Sequence, residues 1–190
     1  MAKLTEIRWH GRAGQGVVTA GELLAHTALE EGKYFQAFPD YGPERSGAPI
    51  RAFTRISDHP IPVHCQITEP DVVLVLDNTL IGIVDFTEGL KDDGFLVVNT
   101  ALSPAELRDK IGYYKGCVFT IDATRIALDI LNRNVTNTPM MGALLKATPV
   151  VDRDSIPREI RKRFTGKLKP EVVEANVVAF EKAYAEARVG

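Results

Sequence analysis

Two kinds of hydrophobic pattern alternate along the chain. DVVLVLD at 71–77, FLVVNT at 95–100 and CVFTID at 117–122 are short, nearly continuous apolar runs. Such runs suit strands that are covered on both faces, as in a parallel sheet, because no position of the pleat then meets water. LTEIRW at 4–9 is a further strand, with Leu4, Ile7 and Trp9 as its apolar bulk, and YFQAF at 34–38 reads as the second strand of the chain. Between and after these runs the period lengthens to that of a helix. VVTAGELLAHTALEEG repeats Leu23, Leu24, Thr27, Ala28 and Glu31 at helical spacing and stops at Gly32, a residue suited to a left-handed helix end.

Ser103 can cap PAELRDKI, because its hydroxyl can accept from free backbone N–H groups, and Pro104 suits the first helical position. ATRIALDIL, NTPMMGALLKAT, SIPREIRKRFTG and PEVVEANVVAFEKAYAEA are helical in pattern. TLIGIVDFTEGLKDDG at 79–94 predicts a short helix with two glycines inside it. IRAFTRI and IPVHCQI flank the polar turn SDHP and alternate on either side, which predicts a hairpin. Pro60 and Pro62 favour an edge position for its returning arm. Together these elements predict an α/β domain: a doubly wound, mostly parallel, Rossmann-like sheet with helices on both faces and a β-hairpin insertion.

The length of 190 residues suits one domain with its own core, and no repeat or linker divides it. With 23 Lys and Arg against 25 Asp and Glu, the formal charge is -2 and both signs are spread along the chain. A nucleic-acid partner is therefore not expected. MAKLTEIRWHGRAG has no export-type apolar stretch and no run approaches a membrane span, so the expectation is a cytoplasmic protein without a membrane partner. Cys65 and Cys117 read as two buried thiols, and they form neither a paired-thiol motif nor a set of cluster ligands.

Candidate chemistry concentrates where the first strand meets the first helix. Gly11, Gly14 and Gly16 let the chain turn tightly, and the exposed N–H groups that follow can hold a phosphate or carboxylate at the positive end of the helix. The spacing is GxxGxG, which is neither the dinucleotide GxGxxG form nor a nucleotide P-loop. A tight turn required by close packing and an anion or cofactor-phosphate contact both remain open, with Arg12 and Gln15 the side chains placed to assist the contact. The Pro39–Pro49 loop gathers Asp40, Tyr41, Glu44, Arg45 and Ser46, with Arg51 and Arg55 nearby. It suits either recognition or a solvated subunit contact. His10 has the best claim to function among the four histidines, none of which forms a metal pattern. Asp77, Asn78 and Thr79 follow one strand end and suit a helix cap facing a crevice, and Asn99 and Thr100 hold the equivalent place after the next strand. No serine or cysteine is set up as a nucleophile, so no catalytic residue is assigned.

EIRWHGRAGQGVVTAGELLA, GKYFQAFPDYGPERSGAPIRAFTRI, PDVVLVLDNTL, GFLVVNT, IDATRIAL and NTPMMGALL occur in an order that resembles the gamma subunits, or gamma domains, of 2-oxoacid:ferredoxin oxidoreductases, the pyruvate enzymes most of all. With NVVAFEKAY the resemblance runs from about residue 6 to residue 184. Ala13 stands where many relatives have glycine. The resemblance implies a single gamma domain over residues 1–190, in a complex that converts pyruvate, coenzyme A and oxidised ferredoxin to acetyl-CoA, CO2 and reduced ferredoxin. It also implies alpha, beta and delta partner subunits, with ferredoxin as the electron acceptor. The chain lacks cluster cysteines and the GDG with paired asparagines that resembles a thiamine diphosphate site. By the resemblance, thiamine diphosphate, magnesium and [4Fe-4S] clusters therefore belong to the partners. Gly11, Arg12, Gly14, Gln15, Gly16 and Arg45 are the expected contacts to coenzyme A, which is the co-substrate, or to another anion. Enzymes for indolepyruvate, 2-oxoglutarate or branched-chain 2-oxoacids, and a noncatalytic α/β interaction protein, are the alternatives.

Overall fold

The computed structural model describes residues 4–40 and 47–190. Seven strands form one sheet in the order β2-β3-β1-β4-β5-β6-β7. The centre is parallel: β1 (Leu4–Arg12), β4 (Val72–Val75), β5 (Phe95–Asn99) and β6 (Cys117–Ile121) run side by side. Two antiparallel strands, β2 (Tyr34–Asp40) and β3 (Pro49–Ser57), extend the sheet beyond β1, and β7 (Arg188–Val189) pairs antiparallel with the far side of β6.

The apolar strands sort their side chains by parity. Ile7, Trp9, Val72, Leu74 and Val97 face a large core formed with α1 (Val17–Glu30), α3 (Ala123–Leu131), α4 (Asn137–Ala147), α5 (Ser155–Phe164) and α6 (Pro170–Glu186). Val73, Val75, Leu96, Val98 and Val118 face a smaller core closed by Leu107 of α2 (Pro104–Ile111) and by Leu80, Phe86 and Leu90. Period-two alternation over two covered faces is what makes these strands apolar throughout. Ser103 completes a capping box with Glu106, and Gly112 ends α2 in the left-handed conformation.

Three expectations are corrected. The hairpin pairs β2 with β3, while residues 61–67 form no strand. A strand has only two edges, and β1 and β2 occupy both edges of β3. Val63, His64 and Cys65 are consequently exposed, and Pro39 and Asp40, expected in a loop, extend β2. The helix expected at 79–94 is a 3-10 turn at Asn78–Leu80 followed by irregular chain. Gly82 and Gly89 both adopt positive φ, and a Cβ at Gly89 would collide with the carbonyl oxygen of Thr68. Finally, Cys65 and Cys117 are free and exposed, because one lies in the unpaired 61–67 stretch and the other opens β6.

Polar groups tie the irregular chain to the sheet. Asp71 accepts from Glu6 N at 2.7 Å and from Lys91 Nζ at 2.6 Å. Arg8, buried on the smaller-core face of β1, donates through Nη2 to the carbonyls of Phe86 and Glu88 and through Nε to His10 Nε2 at 3.0 Å. Burial, then the charges of Arg8 and Arg51, push the His10 imidazole down to about 3, so it is neutral at physiological pH. The basic stretch of α5 is a solvated face of ion pairs, Arg161 with Glu174, Lys162 with Glu30 and Arg163 with Glu22. Among the described residues no helix is long and apolar enough to cross a membrane.

Helix α4 lies against α6 at Gly142, where a Cβ would strike the Phe180 carbonyl oxygen and the Tyr184 nitrogen. Backbone cannot swing aside as a side chain can, so Gly142→Ala is expected to lower stability by about 1–3 kcal/mol, read as the urea midpoint of the full chain. An unchanged midpoint would show that the helices separate freely. The unfolded His10 takes up its proton near 6.5 and the folded one near 3, so the unfolded state holds more protons between those values. Stability is therefore full above 6.5 and falls by about 1.4 kcal/mol per pH unit below it. Urea titrations between pH 6.5 and about 5, above the range of most carboxylates, should show a shallower slope in His10→Gln than in the parent chain.

Candidate functional site

The first strand ends at Gly11 and Arg12 on the carboxyl side of the parallel sheet, the side on which open α/β sheets form their crevices. Gly11 has no room for a side chain, since a Cβ would overlap Val17 Cγ2 at the start of α1. Gly14 and Gly16 adopt φ of 96° and 76°, values that a residue with a Cβ rarely takes. The turn is therefore held both by packing at Gly11 and by backbone conformation at Gly14 and Gly16.

Gly16 caps α1 without a side-chain hydrogen bond to its first turn. The first N–H groups of a helix have no partner within it, and the helix dipole makes that end positive. The positive end of α1 thus lies at Gly16, against the Asn137 side chain, and Gly14 beside it is exposed.

The side chains expected to serve this surface are turned toward the protein. Gln15 Oε1 accepts from Arg12 N at 2.8 Å, and Gln15 Nε2 donates to Asp77 Oδ2. Arg12 Nε donates to Thr79 Oγ1 at 2.9 Å and lies 3.5 Å from Asp77 Oδ2, while its Nη1 donates to the Gly47 carbonyl at 3.0 Å. Ala13 N donates to the Ala48 carbonyl at 3.0 Å. Asp77 in turn accepts from Thr79 N at 2.8 Å, the capping role expected of it. Burial raises the affinity of this carboxyl for a proton, but the hydrogen bonds from Thr79 and Gln15 and the charge of Arg12 outweigh it and hold the group below the usual carboxylate range. The carboxylate is ionised and braces the turn from the end of β4.

Gly11, Arg12, Gly14, Gln15 and Gly16 are thus brought together, whereas Arg45, like Tyr41, Glu44 and Ser46, lies outside the described residues. Asp40 pairs with Arg51 at 2.7 Å, and Arg55 pairs with Glu6 at 2.7 Å, so these two arginines neutralise neighbours in the antiparallel wing. Asn99, after β5, donates to the Leu76 carbonyl at 2.8 Å and to Thr124 Oγ1 at 2.9 Å, which ties three strand ends into one rim. The partnership of Asp77 with Gln15 and Arg12 is the feature that sequence reading missed. Its signal was topological: a parallel β1-β4 pair puts the residue after β4 beside the residue after β1. Among the described residues no group of three or more His, Cys, Asp or Glu side chains is placed to hold a metal ion.

Comparison with known proteins gives this arrangement a family. Residues 6–186 match the model of the pyruvate ferredoxin/flavodoxin oxidoreductase family. The chain is 48% identical over 186 residues to the pyruvate synthase subunit PorC of Thermotoga maritima, an alignment that covers 98% of this chain and 96% of that one. It is 50% identical over 179 residues to the pyruvate/ketoisovalerate oxidoreductases common subunit gamma of Thermococcus kodakarensis, covering 94% and 97% of the two chains. The crystal structure of pyruvate oxidoreductase subunit PORC from Thermotoga maritima superposes with a TM-score of 0.87 at 45% identity, covering 99% of each chain. With its family match over nearly the whole length and its fold shared with a solved relative, the chain belongs to the pyruvate ferredoxin/flavodoxin oxidoreductase family as a gamma, or PorC, subunit.

Proposed function

We propose that this chain is the gamma subunit of a pyruvate synthase complex, and that its glycine turn contacts coenzyme A. The near full-length likeness to a pyruvate synthase subunit carries the first part of this reading. In the reaction, pyruvate loses CO2, its acyl carbon is joined to the sulfur of coenzyme A, and two electrons pass singly to ferredoxin. Thiamine diphosphate supplies carbanion stabilisation and iron-sulfur clusters supply electron transfer. We assign these groups, with magnesium, to alpha, beta and delta subunits. The donor set of this chain suits none of them: Cys65 and Cys117 stand alone as thiols, and the sequence has no thiamine diphosphate signature.

In this reading the chain is mainly a structural subunit whose glycine turn also contacts coenzyme A. The uncapped start of α1 supports the coenzyme A contact, because its N–H groups suit a phosphate or another anionic group. Arg12 adds a positive charge beside them, and the ionised Asp77 holds Arg12 and Gln15 in place while satisfying part of that charge. The surface discriminates by charge and shape and carries out no bond chemistry.

A second reading of the substrate has its own support. The likeness to a subunit common to pyruvate and ketoisovalerate oxidoreductases fits a gamma chain that serves more than one 2-oxoacid enzyme, with the substrate pocket in the partners.

Native mass spectrometry of the affinity-purified complex, followed by viologen reduction with pyruvate and coenzyme A on the same preparation, tests the assignment. Copurifying alpha, beta and ferredoxin-like subunits with pyruvate activity are expected. Activity on a branched-chain 2-oxoacid alone would replace the substrate, and recovery of an isolated chain would overturn the complex. Removing a charge that contacts a phosphate costs roughly 1.5–3 kcal/mol. In the intact complex, Arg12→Ala should accordingly raise KM for coenzyme A about tenfold or more, with Arg12→Lys milder and Arg45→Ala as the loop counterpart. Normal KM and turnover in Arg12→Ala and Arg45→Ala would refute the direct contact.

A further inference from the structure

Among the described residues, the sheet ends on one side in a long unpaired edge. β2 is the outermost strand there, seven residues long, and it pairs with β3 alone. That ladder runs unbroken through Pro39, which stands opposite Ala52 although a proline has no N–H to give. Proline fits a ladder where its nitrogen faces away from the neighbouring strand. In an antiparallel pair, residues bonded inward alternate with residues whose main chain faces out. Phe35, Ala37 and Pro39 therefore present the outer edge. The N–H and C=O groups of Phe35 and Ala37, and the Pro39 carbonyl, have no main-chain partner among the described residues.

Both faces of the strand are held, so the edge is fixed in place. On the α1 side the Phe35 ring lies 6.3 Å from that of His26. On the other side Phe38 meets Phe53 at 5.3 Å between ring centroids, Asp40 pairs with Arg51 at 2.7 Å, and Gln36 Nε2 donates to the Ile61 carbonyl at 3.3 Å. Natural edges are blunted by lysines, bulges, inward charges or proline. This one has no lysine and no bulge, and its one charge, Asp40, is neutralised by Arg51. Pro39 removes a donor near one end and leaves the donors of Phe35 and Ala37 before it.

We propose that this edge docks the same strand of a second copy of the chain, antiparallel, about a two-fold axis at Ala37. Antiparallel overlap of all seven residues sets Ala37 opposite its own counterpart, Phe35 opposite Pro39, and Tyr34 opposite Asp40. The two Ala37 residues then exchange both their main-chain bonds, and each Phe35 N–H meets the carbonyl that Pro39 offers. Each Phe35 carbonyl faces the missing Pro39 donor and stays with water. The sequence of the strand is thus complementary to itself in this register. Its one charged residue falls opposite Tyr34, which is 48% exposed and carries a hydroxyl donor for that carboxylate, and no two like charges meet. A formal charge of -2 adds little repulsion between two copies. The pairing stands apart from the coenzyme A reading, which rests on the start of α1 and on Arg12, so either can fail without the other.

Amide hydrogen exchange of the full-length chain, followed by NMR from about 10 µM to about 500 µM, reads the edge directly. The Phe35 and Ala37 amides should slow about tenfold or more across that range, while the inward amides of Gln36 and Phe38 are slow throughout. Sedimentation velocity on the same samples should show monomer passing to dimer. Ala37→Lys sets two like charges at the axis and should weaken the dimer about tenfold or more, with its urea midpoint kept. Exchange of Phe35 and Ala37 that ignores concentration, a monomer at every concentration, or a dimer that Ala37→Lys leaves unchanged would each overturn the pairing. In the affinity-purified complex, the native mass should contain two copies of this chain. A single copy with both amides protected would give the edge to a strand of a different subunit, and so overturn the pairing as well.

Discussion

The contact on which the glycine turn depends is the Asp77 carboxylate standing at the carboxyl end of β4, beside the carboxyl end of β1. Parallel pairing of Trp9 with Leu74 and of His10 with Val75 brings the two ends level. One Asp77 oxygen then caps the chain that leaves β4, and the other meets Gln15 and Arg12 of the turn. Glycines alone would permit this turn among many others, since a residue without a Cβ gives up more conformational freedom on folding. The side-chain brace selects one geometry and leaves Gly14 exposed, while the Asn137 side chain lies against Gly16. Close packing accounts for the inward side of the turn, where Gly11 faces Val17, and Gly14 faces out.

How much of the fold could be read from the chain follows from which forces act locally. The parallel strands were legible because two covered faces demand apolar residues at every position, as in Val72–Val75. The Ser103 cap was legible because its partner Glu106 lies one turn away. The 61–67 stretch misleads for the opposite reason. Its alternation of Ile61, Val63, Cys65 and Ile67 with polar or proline residues is strand-like, but pairing is a property of two chains, and β3 has no edge left to offer. Of those four residues Ile67 is buried, and Val63 and Cys65 are exposed. Likewise the two residues of β7 are too few to carry a pattern and owe their place to β6.

The candidate site was legible in its glycines and illegible in its partners. GxxGxG names a turn, whereas the destination of Arg12 and Gln15 depends on a residue more than sixty positions later. Arg8 and His10 illustrate the same limit from the other direction. Their positions on β1, two apart, put both on the face of the smaller core. A sequence shows a charged and a titratable residue in a strand but not the Phe86 and Glu88 carbonyls that return to meet them. His10, singled out beside the turn, accepts from Arg8 Nε.

The two cores of the sheet are unequally built, and this bears on how the subunit can work. The larger core is sealed by five helices, with α4 and α6 in backbone contact at Gly142. The smaller one is closed by α2 and by chain from 78 to 94 that has little regular hydrogen bonding of its own. Such chain depends on its attachment points, and the sheet supplies them through Arg8, Asp71 and the Asp77 cap. Local opening is cheapest where regular backbone hydrogen bonds and buried contacts are few. In this molecule that region adjoins the glycine turn. Regular helix packing therefore covers one face of the sheet, and chain held by separate polar attachments covers much of the other. That division leaves the chain cheapest to open beside the glycine turn, while the parallel sheet beneath it keeps its register.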